Sequence, residues 1–300
     1  MRGSTRRLMA KHGWRIDKAI HNYIYFAFYY PYVWTLTQYA GKLFPKTTWF
    51  KPINPILRMI TSRYHAKMLS GGDVQQILTL NEDVVATSDK NKRIIPFTYA
   101  HKILFQNPDY IAVMDCPCKR SLGVKDPKLL NSCICVGKNT AEFWVDRCGK
   151  KYHARRINQK EALDIVTKFR KMGYITQIFF KVATGGAAGV ICSCHKSSCP
   201  ELRAHLAMRK CAPDLRMTAD SGYSIRHDES ICKHCGTCAK ICQFEAITFK
   251  NNRVEYERRN CLGCGLCTEH CPQGALKLYQ DPGKAVPLNI DIVKREYLSH

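Results

Sequence analysis

The sequence predicts an α+β protein with a helical, aromatic amino-terminal segment, a cysteine-rich α+β middle domain and a small carboxy-terminal domain built on a repeat. Residues 232–242 hold four cysteines, and the same spacing returns 29 residues later. An amphipathic helix pattern occupies residues 159–172, and residues 22–41 carry no charged side chain. We expect the chain to divide into parts at residues 1–69, 70–221, 222–280 and a tail, 281–300.

The amino-terminal part combines an aromatic stretch with basic residues that precede it. Six Lys or Arg and a single acid stand between residues 2 and 18. The uncharged stretch is nearly long enough to cross a bilayer, but six tyrosines between residues 23 and 39, together with Pro31 and Gln38, argue against a hydrocarbon-core helix. Aromatic residues backed by basic ones favour an interfacial membrane anchor. Packing on a partner or inside the protein, and a true membrane span, are the alternatives.

Charge is concentrated ahead of the repeat. Of the net charge of +23, residues 1–69 contribute +11 and residues 70–221 contribute +10, whereas residues 222–280 add only +2. This basic flank favours an acidic redox partner or an anionic membrane surface. No nucleic-acid-binding module accompanies it, so we expect no nucleic-acid partner. The paired arginines of "TRRLMAK" at residues 5–11 suggest a twin-arginine export signal only weakly, because no cleavage site follows.

The cysteines favour metal ligation over disulfides. The chain has 17 of them, an odd number, and they cluster at two- and three-residue gaps. Such a pattern is typical of metal sites in a reducing compartment, and 300 residues can bury a core without covalent cross-links. We therefore expect a cytoplasmic protein, held peripherally on the inner face of the cytoplasmic membrane by its amino-terminal segment.

A helix is predicted over residues 159–172 of the middle domain. Its apolar residues form one stripe, and Gly173 ends the helix. The small-residue stretch "TGGAAGV" at residues 184–190 has the spacing of neither a P-loop nor a dinucleotide fingerprint. We interpret it as a close-packed loop that delivers Cys192.

Nine cysteines precede the repeat, and most of them are paired or grouped. A C-x-C pair cannot easily close a metal site by itself, so an upstream site must gather ligands from distant segments. We expect a third 4Fe–4S cluster there, and a structural zinc site or plain packing of buried thiols are the alternatives. A fourth cluster would need nearly every remaining thiol. The candidate ligands are Cys116, Cys118 and Cys133, with Cys192, Cys194 or Cys199 closing the set, while Cys135, Cys148 and Cys211 are left over.

The carboxy-terminal repeat indicates iron–sulfur clusters. A structural zinc site usually takes C-x2-C pairs from separate loops, whereas C-x2-C-x2-C-x3-C supplies three thiolates from one tight loop and sends the fourth to another cluster. The glycines of "CGTC" and "CGLC" suit a loop that wraps closely around such a cluster. Short strand patterns follow each run, and "NN" at residues 251–252 predicts a tight hairpin turn. The repeat therefore predicts a pseudo-twofold unit.

Residues 222–280 resemble a bacterial-type dicluster ferredoxin domain. The resemblance implies one 4Fe–4S cluster on Cys232, Cys235, Cys238 and Cys271, and a second on Cys261, Cys264, Cys267 and Cys242. Pro272 follows Cys271 as the family pattern asks. Gln243 stands where the matching proline would follow Cys242, a departure expected to affect the local turn and the potential of the second cluster.

The middle domain resembles a less well-described family of anaerobe ferredoxins. In that family a C-x-C before a basic residue, a single cysteine after a "PLE"-like segment and an "ICNC"-like stretch precede the dicluster domain. Here these elements read "CPCKR", "DPKLLNSC" and "ICSC", and the resemblance spans about residues 94–200. It implies a cysteine-rich site upstream of the two clusters.

The function we predict is electron transfer, with single electrons relayed between a redox protein and a membrane-associated donor or acceptor. No nucleophile with its base, acid/base pair or nucleotide motif marks a substrate site of the chain's own. Two alternatives stay open: an iron–sulfur enzyme whose upstream cluster keeps an open coordination position, and a wiring subunit of a larger membrane-associated oxidoreductase complex.

Overall fold

The computed structural model describes most of the middle and carboxy-terminal parts of the chain. The described residues are 3, 6, 20, 28–38, 52, 64–80, 84–87, 102–105, 110–181, 188–211 and 217–297. The α-helices are α1 (Tyr29–Gln38), α2 (Gly71–Leu78), α3 (Pro117–Ser121), α4 (Pro127–Leu130), α5 (Lys138–Tyr152), α6 (Gln159–Lys171), α7 (Pro200–Cys211), α8 (Thr237–Ile241), α9 (Leu266–Glu269) and α10 (Ile290–Tyr297). The strands are β1 (Tyr64–Leu69), β2 (Val84–Thr87), β3 (Lys102–Phe105), β4 (Ile111–Asp115), β5 (Asn131–Val136), β6 (Arg155–Ile157), β7 (Ile175–Lys181), β8 (Ala188–Cys194), β9 (Thr218–Ala219), β10 (Tyr223–His227), β11 (Ile247–Lys250), β12 (Arg253–Tyr256) and β13 (Leu276–Gln280). The mixture of helices and strands confirms the predicted α+β class.

A seven-stranded sheet in the order β6-β4-β5-β8-β7-β1-β9 organises the middle of the chain. Its strands pair antiparallel except for the parallel pair β1 and β9. Strand β1 belongs to this sheet, because Tyr64 to Leu69 pair with Lys181 to Thr176 of β7. Residues 64–69, which the expected division places in the amino-terminal part, thus lie in the sheet through ladder hydrogen bonds to a strand more than a hundred residues away.

The two faces of this sheet bury different side chains. One face is aliphatic, and α2, α6 and the region of α10 cover it with residues such as Val74, Val166 and Val293. The other face carries the upstream cysteines, and α1, α5 and α7 lie over it. Phe244 and Leu266 of the carboxy-terminal domain are buried in that same cluster. The cysteine face of the sheet is thus the face against which the repeat domain packs.

Helix α6 confirms the helix predicted over residues 159–172. The Asn158 side chain caps it by accepting a hydrogen bond from the Glu161 backbone N–H at 2.8 Å. Gly173 follows the helix with a φ of +83°, a left-handed conformation that glycine adopts without steric cost. The buried stripe of the helix, including Ala162, Val166 and Phe169, faces the core.

The carboxy-terminal domain has the pseudo-twofold arrangement that the repeat predicts. Strands β10 and β13 pair antiparallel, and β11 and β12 form a hairpin. Asn251 and Asn252 join the hairpin with φ of 49° and 58°, which confirms the predicted tight turn. Short 3₁₀ turns, Glu229–Ile231 and Arg258–Asn260, precede the cysteine loops at equivalent places.

Residues 281–297, most of the expected carboxy-terminal tail, are packed against the rest of the chain. Leu288 and Val293 are fully buried with the aliphatic face of the sheet. The Gln76 side chain of α2 accepts a hydrogen bond from the Ile290 N–H at 3.0 Å and donates one to Asp291 at 3.0 Å. The apolar residues of this segment, such as Val286, Leu288 and Val293, bury against the aliphatic face of the sheet beside α2.

Helix α1 is the main part of the aromatic amino-terminal segment that the structure describes. Val33 is only 5% exposed and packs, with Tyr32, in the cluster that contains the upstream cysteines. The helix lies next to α3, which follows Cys116. On the outer side, Phe28 and Trp34 are 57% and 46% exposed. The rest of the aromatic stretch lies outside the described residues, and none of the described helices is long and apolar enough to cross a bilayer.

Candidate iron–sulfur sites

The two cysteine loops of the repeat have the same backbone design. In each loop the first cysteine ends the 3₁₀ turn, the third lies in a short helix, α8 or α9, and the fourth lies close after that helix. Backbone amides point at the sulfurs at matching positions. The four contacts are His234 N–H to Cys232 Sγ at 3.4 Å, Gly263 N–H to Cys261 Sγ at 3.4 Å, Ala246 N–H to Cys242 Sγ at 3.3 Å and Ala275 N–H to Cys271 Sγ at 3.3 Å. Such donors stabilise thiolates bound to metal.

Glycines allow the backbone conformation that directs these amides at the sulfurs. Gly236 and Gly265 begin α8 and α9 with φ of 69° and 80°, so both loops turn through a left-handed residue before the third cysteine. A Cβ atom at Gly265 would lie 3.1 Å from the Leu278 side chain of β13. The loop can therefore lie directly on the strand pair β10 and β13.

A cavity joins thiols from the two loops. It is lined by Cys242 of the first loop, by Cys261, Cys264 and Cys267 of the second, and by apolar side chains. Burial raises the pKa of the Cys267 thiol, and the neighbouring thiols raise it further, so deprotonation here needs a bound cation. Four converging thiols in an apolar cavity with aligned amides are a donor set that fits a 4Fe–4S cluster.

The two loops differ in how far solvent reaches them. In the first loop Cys235 is exposed, and Cys232 is half-buried. The second loop lies against the middle domain through Arg170 of α6, whose guanidinium is buried. Arg170 donates to the Cys264 carbonyl at 2.7 Å and to the Glu269 carboxylate at 2.5 and 2.9 Å. The second loop thus occupies the position between the exposed first loop and the middle domain.

The side-chain contacts of Gln243 explain why this position is not the proline expected from the ferredoxin pattern. Its side chain is buried at 3% exposure, donates to the Gly173 carbonyl at 3.0 Å and accepts from the Lys196 N–H at 3.1 Å. A proline could make neither contact. The equivalent position in the second loop, Pro272, is exposed. The glutamine therefore joins the first loop to the end of α6 and to the segment after β8.

The upstream cysteines come together on the sheet. Cys133 of β5 and Cys192 of β8 are directly opposite in the antiparallel ladder, and their sulfurs are 3.4 Å apart. Cys192 therefore lies within a strand, which corrects the prediction that a loop delivers it. Residues 184–187 lie outside the described residues.

All six predicted upstream candidates belong to one group of thiols. Hydrogen bonds from Cys118 and Cys133 hold the pKa of Cys116 well below its ordinary value. Hydrogen bonds from Cys192 and Cys199 do the same for Cys194. The thiols thus form a continuous series from α3 across β5 and β8 to the start of α7. Their order in the series is Cys118, Cys116, Cys133, Cys192, Cys194 and Cys199.

Two other cysteines of the middle domain stand apart from this group. Cys135 lies two residues beyond Cys133 on the same face of β5, where it is opposite Val190. Burial raises the pKa of Cys148 to about 12 and also raises that of Cys135. Both behave as buried thiols of the core. Among the residues that the structure describes, no three Cys, His, Asp or Glu side chains are arranged around a single metal ion.

Two residues of these sites were missed from the sequence, Arg170 and Lys119, and the contacts of Gln243 were not foreseen. Lys119 is a buried lysine beside the upstream group. Its only signal in the sequence was its place in "CPCKR", where the basic residue follows the C-x-C pair directly. Arg170 and Gln243 carry no sequence signal of contact, because their partners are distant along the chain.

The comparison with protein families matches residues 231–275 to the 4Fe-4S dicluster domain. This match covers both cysteine loops and the hairpin between them, and it confirms the resemblance of the carboxy-terminal part to dicluster ferredoxins. It supports the two predicted 4Fe–4S clusters and does not reach the upstream cysteines.

Curated relatives with similar segments include proteins of electron transport. An uncharacterized ferredoxin of Methanocaldococcus jannaschii is 35% identical over 63 residues, which are 20% of this chain and 38% of that protein. A dihydromethanopterin reductase (acceptor) of Methanosarcina mazei is 43% identical over 53 residues, 17% of this chain and 22% of the relative. Formate hydrogenlyase subunit 2 of Escherichia coli is 29% identical over 99 residues, 32% and 41% of the two chains. The chain thus matches less than half the length of each of these relatives.

The Gln243 contacts predict a selective effect of substitution. Gln243→Ala removes two hydrogen bonds and leaves the buried Gly173 carbonyl without this partner, so we expect a loss of roughly 1–3 kcal/mol in the free energy of unfolding. The measurement is the urea midpoint under anaerobic conditions, followed by far-ultraviolet circular dichroism. Pro272→Ala at the equivalent exposed position is the control and should shift the midpoint little. Equal shifts in the two variants would contradict a joining role for Gln243.

Proposed function

We propose that this chain is an iron–sulfur electron carrier that relays single electrons between a redox protein and a membrane-associated donor or acceptor. The observation that carries the proposal is the cavity in which Cys242 of the first loop joins three cysteines of the second. Crossed contribution of the fourth cysteine is how two-cluster ferredoxins hold their clusters. When bound, each 4Fe–4S cluster takes up or releases one electron.

The ligand sets follow from this crossing. In our proposal Cys232, Cys235, Cys238 and Cys271 hold the first cluster, and Cys261, Cys264, Cys267 and Cys242 hold the second. Backbone N–H groups contact the first and fourth cysteine sulfurs in the same way in both loops. This supports the same mode of cluster binding at the two sites. Cys242 also raises the pKa of Cys264 and of Cys267 through their electrostatic proximity, although burial is the larger cause.

A third cluster is proposed on the upstream group of thiols. The group brings together six cysteines, which is two more than one 4Fe–4S cube requires. A full set of thiolates favours electron transfer over catalysis at an open iron position, because no ligand needs to come from a substrate. We therefore favour the carrier over the iron–sulfur enzyme.

The order of the sites supports a path for electrons. The first cysteine loop contains the exposed Cys235, the second loop contacts α6, and the upstream thiols share a buried cluster with Phe244, Leu262 and Leu266. Electrons would pass from the exposed first cluster to the second and then to the upstream site, or the reverse. We propose residues 222–280 as the dicluster domain and residues 64–221 as the domain of the third cluster.

A place in a larger oxidoreductase complex is a further part of the proposal. Some relatives are named as subunits of larger enzymes, such as formate hydrogenlyase subunit 2 and hydrogenase-4 component A of Escherichia coli. This chain shares only segments of them, so the partner itself is open to experiment. The net charge of +23 favours a partner with an acidic surface.

We also propose a cytoplasmic location, on the inner face of the cytoplasmic membrane. The exposed aromatic side chains Phe28 and Trp34 lie on the outer side of α1, and the sequence before them is basic. Exposed aromatic and basic residues together suit the headgroup region of an anionic bilayer. Since α1 packs beside α3, this surface would place the upstream site nearest the membrane.

Iron content tests the number of clusters. The protein purified under anaerobic conditions should hold about twelve irons and twelve sulfides, since each cube carries about four of each. Replacement of Cys116 and Cys133 by serine should lower both values to about eight, because it breaks the upstream group and leaves the repeat intact. Cys148→Ser, a buried thiol outside the group, should keep about twelve. A wild-type value of about eight would overturn the third cluster and leave the first two standing.

Paired cysteine variants test crossed ligation and electron transfer together. Cys242→Ala should damage the buried second cluster, and Cys271→Ala the exposed first one, each leaving one reducible cluster in the repeat beside the upstream one. Electron paramagnetic resonance of the dithionite-reduced protein is the measurement, and a soluble paramagnetic relaxing ion should broaden the exposed cluster more. Circular dichroism should accompany the spectra, because cluster loss can unfold such domains. A reversed pattern would refute crossed ligation, and a wild type without any reducible signal would refute electron transfer.

Liposome flotation tests the membrane surface. The protein should float with anionic vesicles, and Phe28→Ser with Trp34→Ser should remove most of this binding, since both side chains are exposed. High salt should weaken binding by screening the basic residues. Phe249→Ser, an exposed aromatic change in the carboxy-terminal domain, is the control and should bind like the wild type. Undiminished flotation of the double variant would exclude α1 as the anchor.

A further inference from the structure

A lysine is buried beside the upstream group of thiols. Lys119 lies in α3 directly after Cys118, and only 1% of it is exposed. Its ammonium donates to the Leu129 carbonyl at 2.9 Å and to the Ser132 hydroxyl at 2.8 Å. It also lies over the rings of Phe169 and Tyr174, at 4.1 and 4.5 Å from their centroids.

These partners hold the ammonium but do not neutralise it. A carbonyl, a hydroxyl and two aromatic rings are all uncharged, and an ionised amine inside a protein is costly without an opposite charge nearby. The buried carboxylate of the same region, Asp115, has other partners. It contacts His153 Nδ1 at 2.7 Å and Arg120 at 3.7 Å. The negative charge that Lys119 requires must therefore come from another group.

The cysteines beside Lys119 are the groups that can supply this charge. Lys119 follows Cys118 directly in the helix that begins after Cys116, and its ammonium binds the hydroxyl of Ser132, the residue before Cys133. Thiolates become stable in a buried site when they ligate a metal and a cation lies nearby. A buried ammonium beside grouped thiols thus suits a site that holds net negative charge.

We propose that Lys119 is the counter-charge of the upstream site and sets its reduction potential by favouring the reduced, more negative state. The inference rests on the proposed third cluster. Reduction of the site adds one electron and therefore one negative charge, which the fixed ammonium stabilises by electrostatic attraction. Without this charge, the upstream site is harder to reduce than in the wild type.

The test is a reductive titration of the whole protein, followed by electron paramagnetic resonance. Lys119→Met removes the charge and keeps a side chain of similar length. At a fixed applied potential, we expect the ratio of oxidised to reduced third cluster to rise by at least about tenfold, because a buried charge acts through a low dielectric. The ratio of oxidised to reduced cluster should change much less at the two sites of the repeat.

Lys168→Met is the matched control. Lys168 also lies over the Phe169 ring, at 5.7 Å, and donates to the Lys128 carbonyl, but its side chain is exposed. Solvent and salt screen its charge, so its removal should leave the titration unchanged. The effect of Lys119→Met should instead persist at high salt. If the methionine variant does not fold, Lys119→Gln serves the same purpose, since its amide can still donate to the Leu129 carbonyl.

The outcomes separate this inference from the proposed function. A wild type with about twelve irons, and an unchanged titration in both Lys119 variants, would overturn the role of Lys119 and leave the third cluster standing. If Lys168→Met shifted the titration as much as Lys119→Met, the role of Lys119 would also be overturned. The effect would then come from the net charge of the protein and not from the buried ammonium. A wild type with about eight irons would instead overturn the third cluster.

Discussion

Stabilising negative charge on buried sulfur is the physical constraint on which the rest of this structure depends. Burial raises the pKa of a thiol, so cysteines in a core stay protonated unless cations or N–H donors lie beside them. The repeat loops provide such donors through their backbone, with amides of His234 and Gly263 directed at the first thiol of each loop. In our proposal the upstream group has a different solution, in which the buried side chain of Lys119 supplies the positive charge.

The junction between the middle domain and the repeat serves the same constraint. Arg170 binds the backbone of the second loop, and Gln243 holds the first loop to the end of α6. Within the middle domain, just before the repeat, the buried Lys67 donates to the Asp220 carbonyl at 3.0 Å, and burial lowers its pKa to about 8. The Arg170 and Gln243 side chains are buried where the two domains meet. The two domains therefore form one packed body in which the cysteine sites have defined neighbours.

Helix α1 has two different surfaces, which explains why its sequence was open to more than one interpretation. Val33 and Tyr32 face the cysteine side of the sheet, and Phe28 and Trp34 face outward. The inward contact supports the packed alternative, and the outward aromatics still suit a membrane surface. One short helix can thus cover the upstream thiols and present an interface at the same time.

The sequence by itself determined the local features of this protein. The repeated cysteine spacing, the glycines of the loops, the Asn251 and Asn252 turn and helix α6 were all predicted, because each depends on residues close together in the chain. Only the tertiary structure decided which distant residues meet. The pairing of Cys133 with Cys192, the burial of Lys119 and the packing of residues 281–297 follow from strand order and sheet faces. Sequence spacing cannot reveal these contacts, since they arise only when the hydrophobic faces of separate elements are buried against one another.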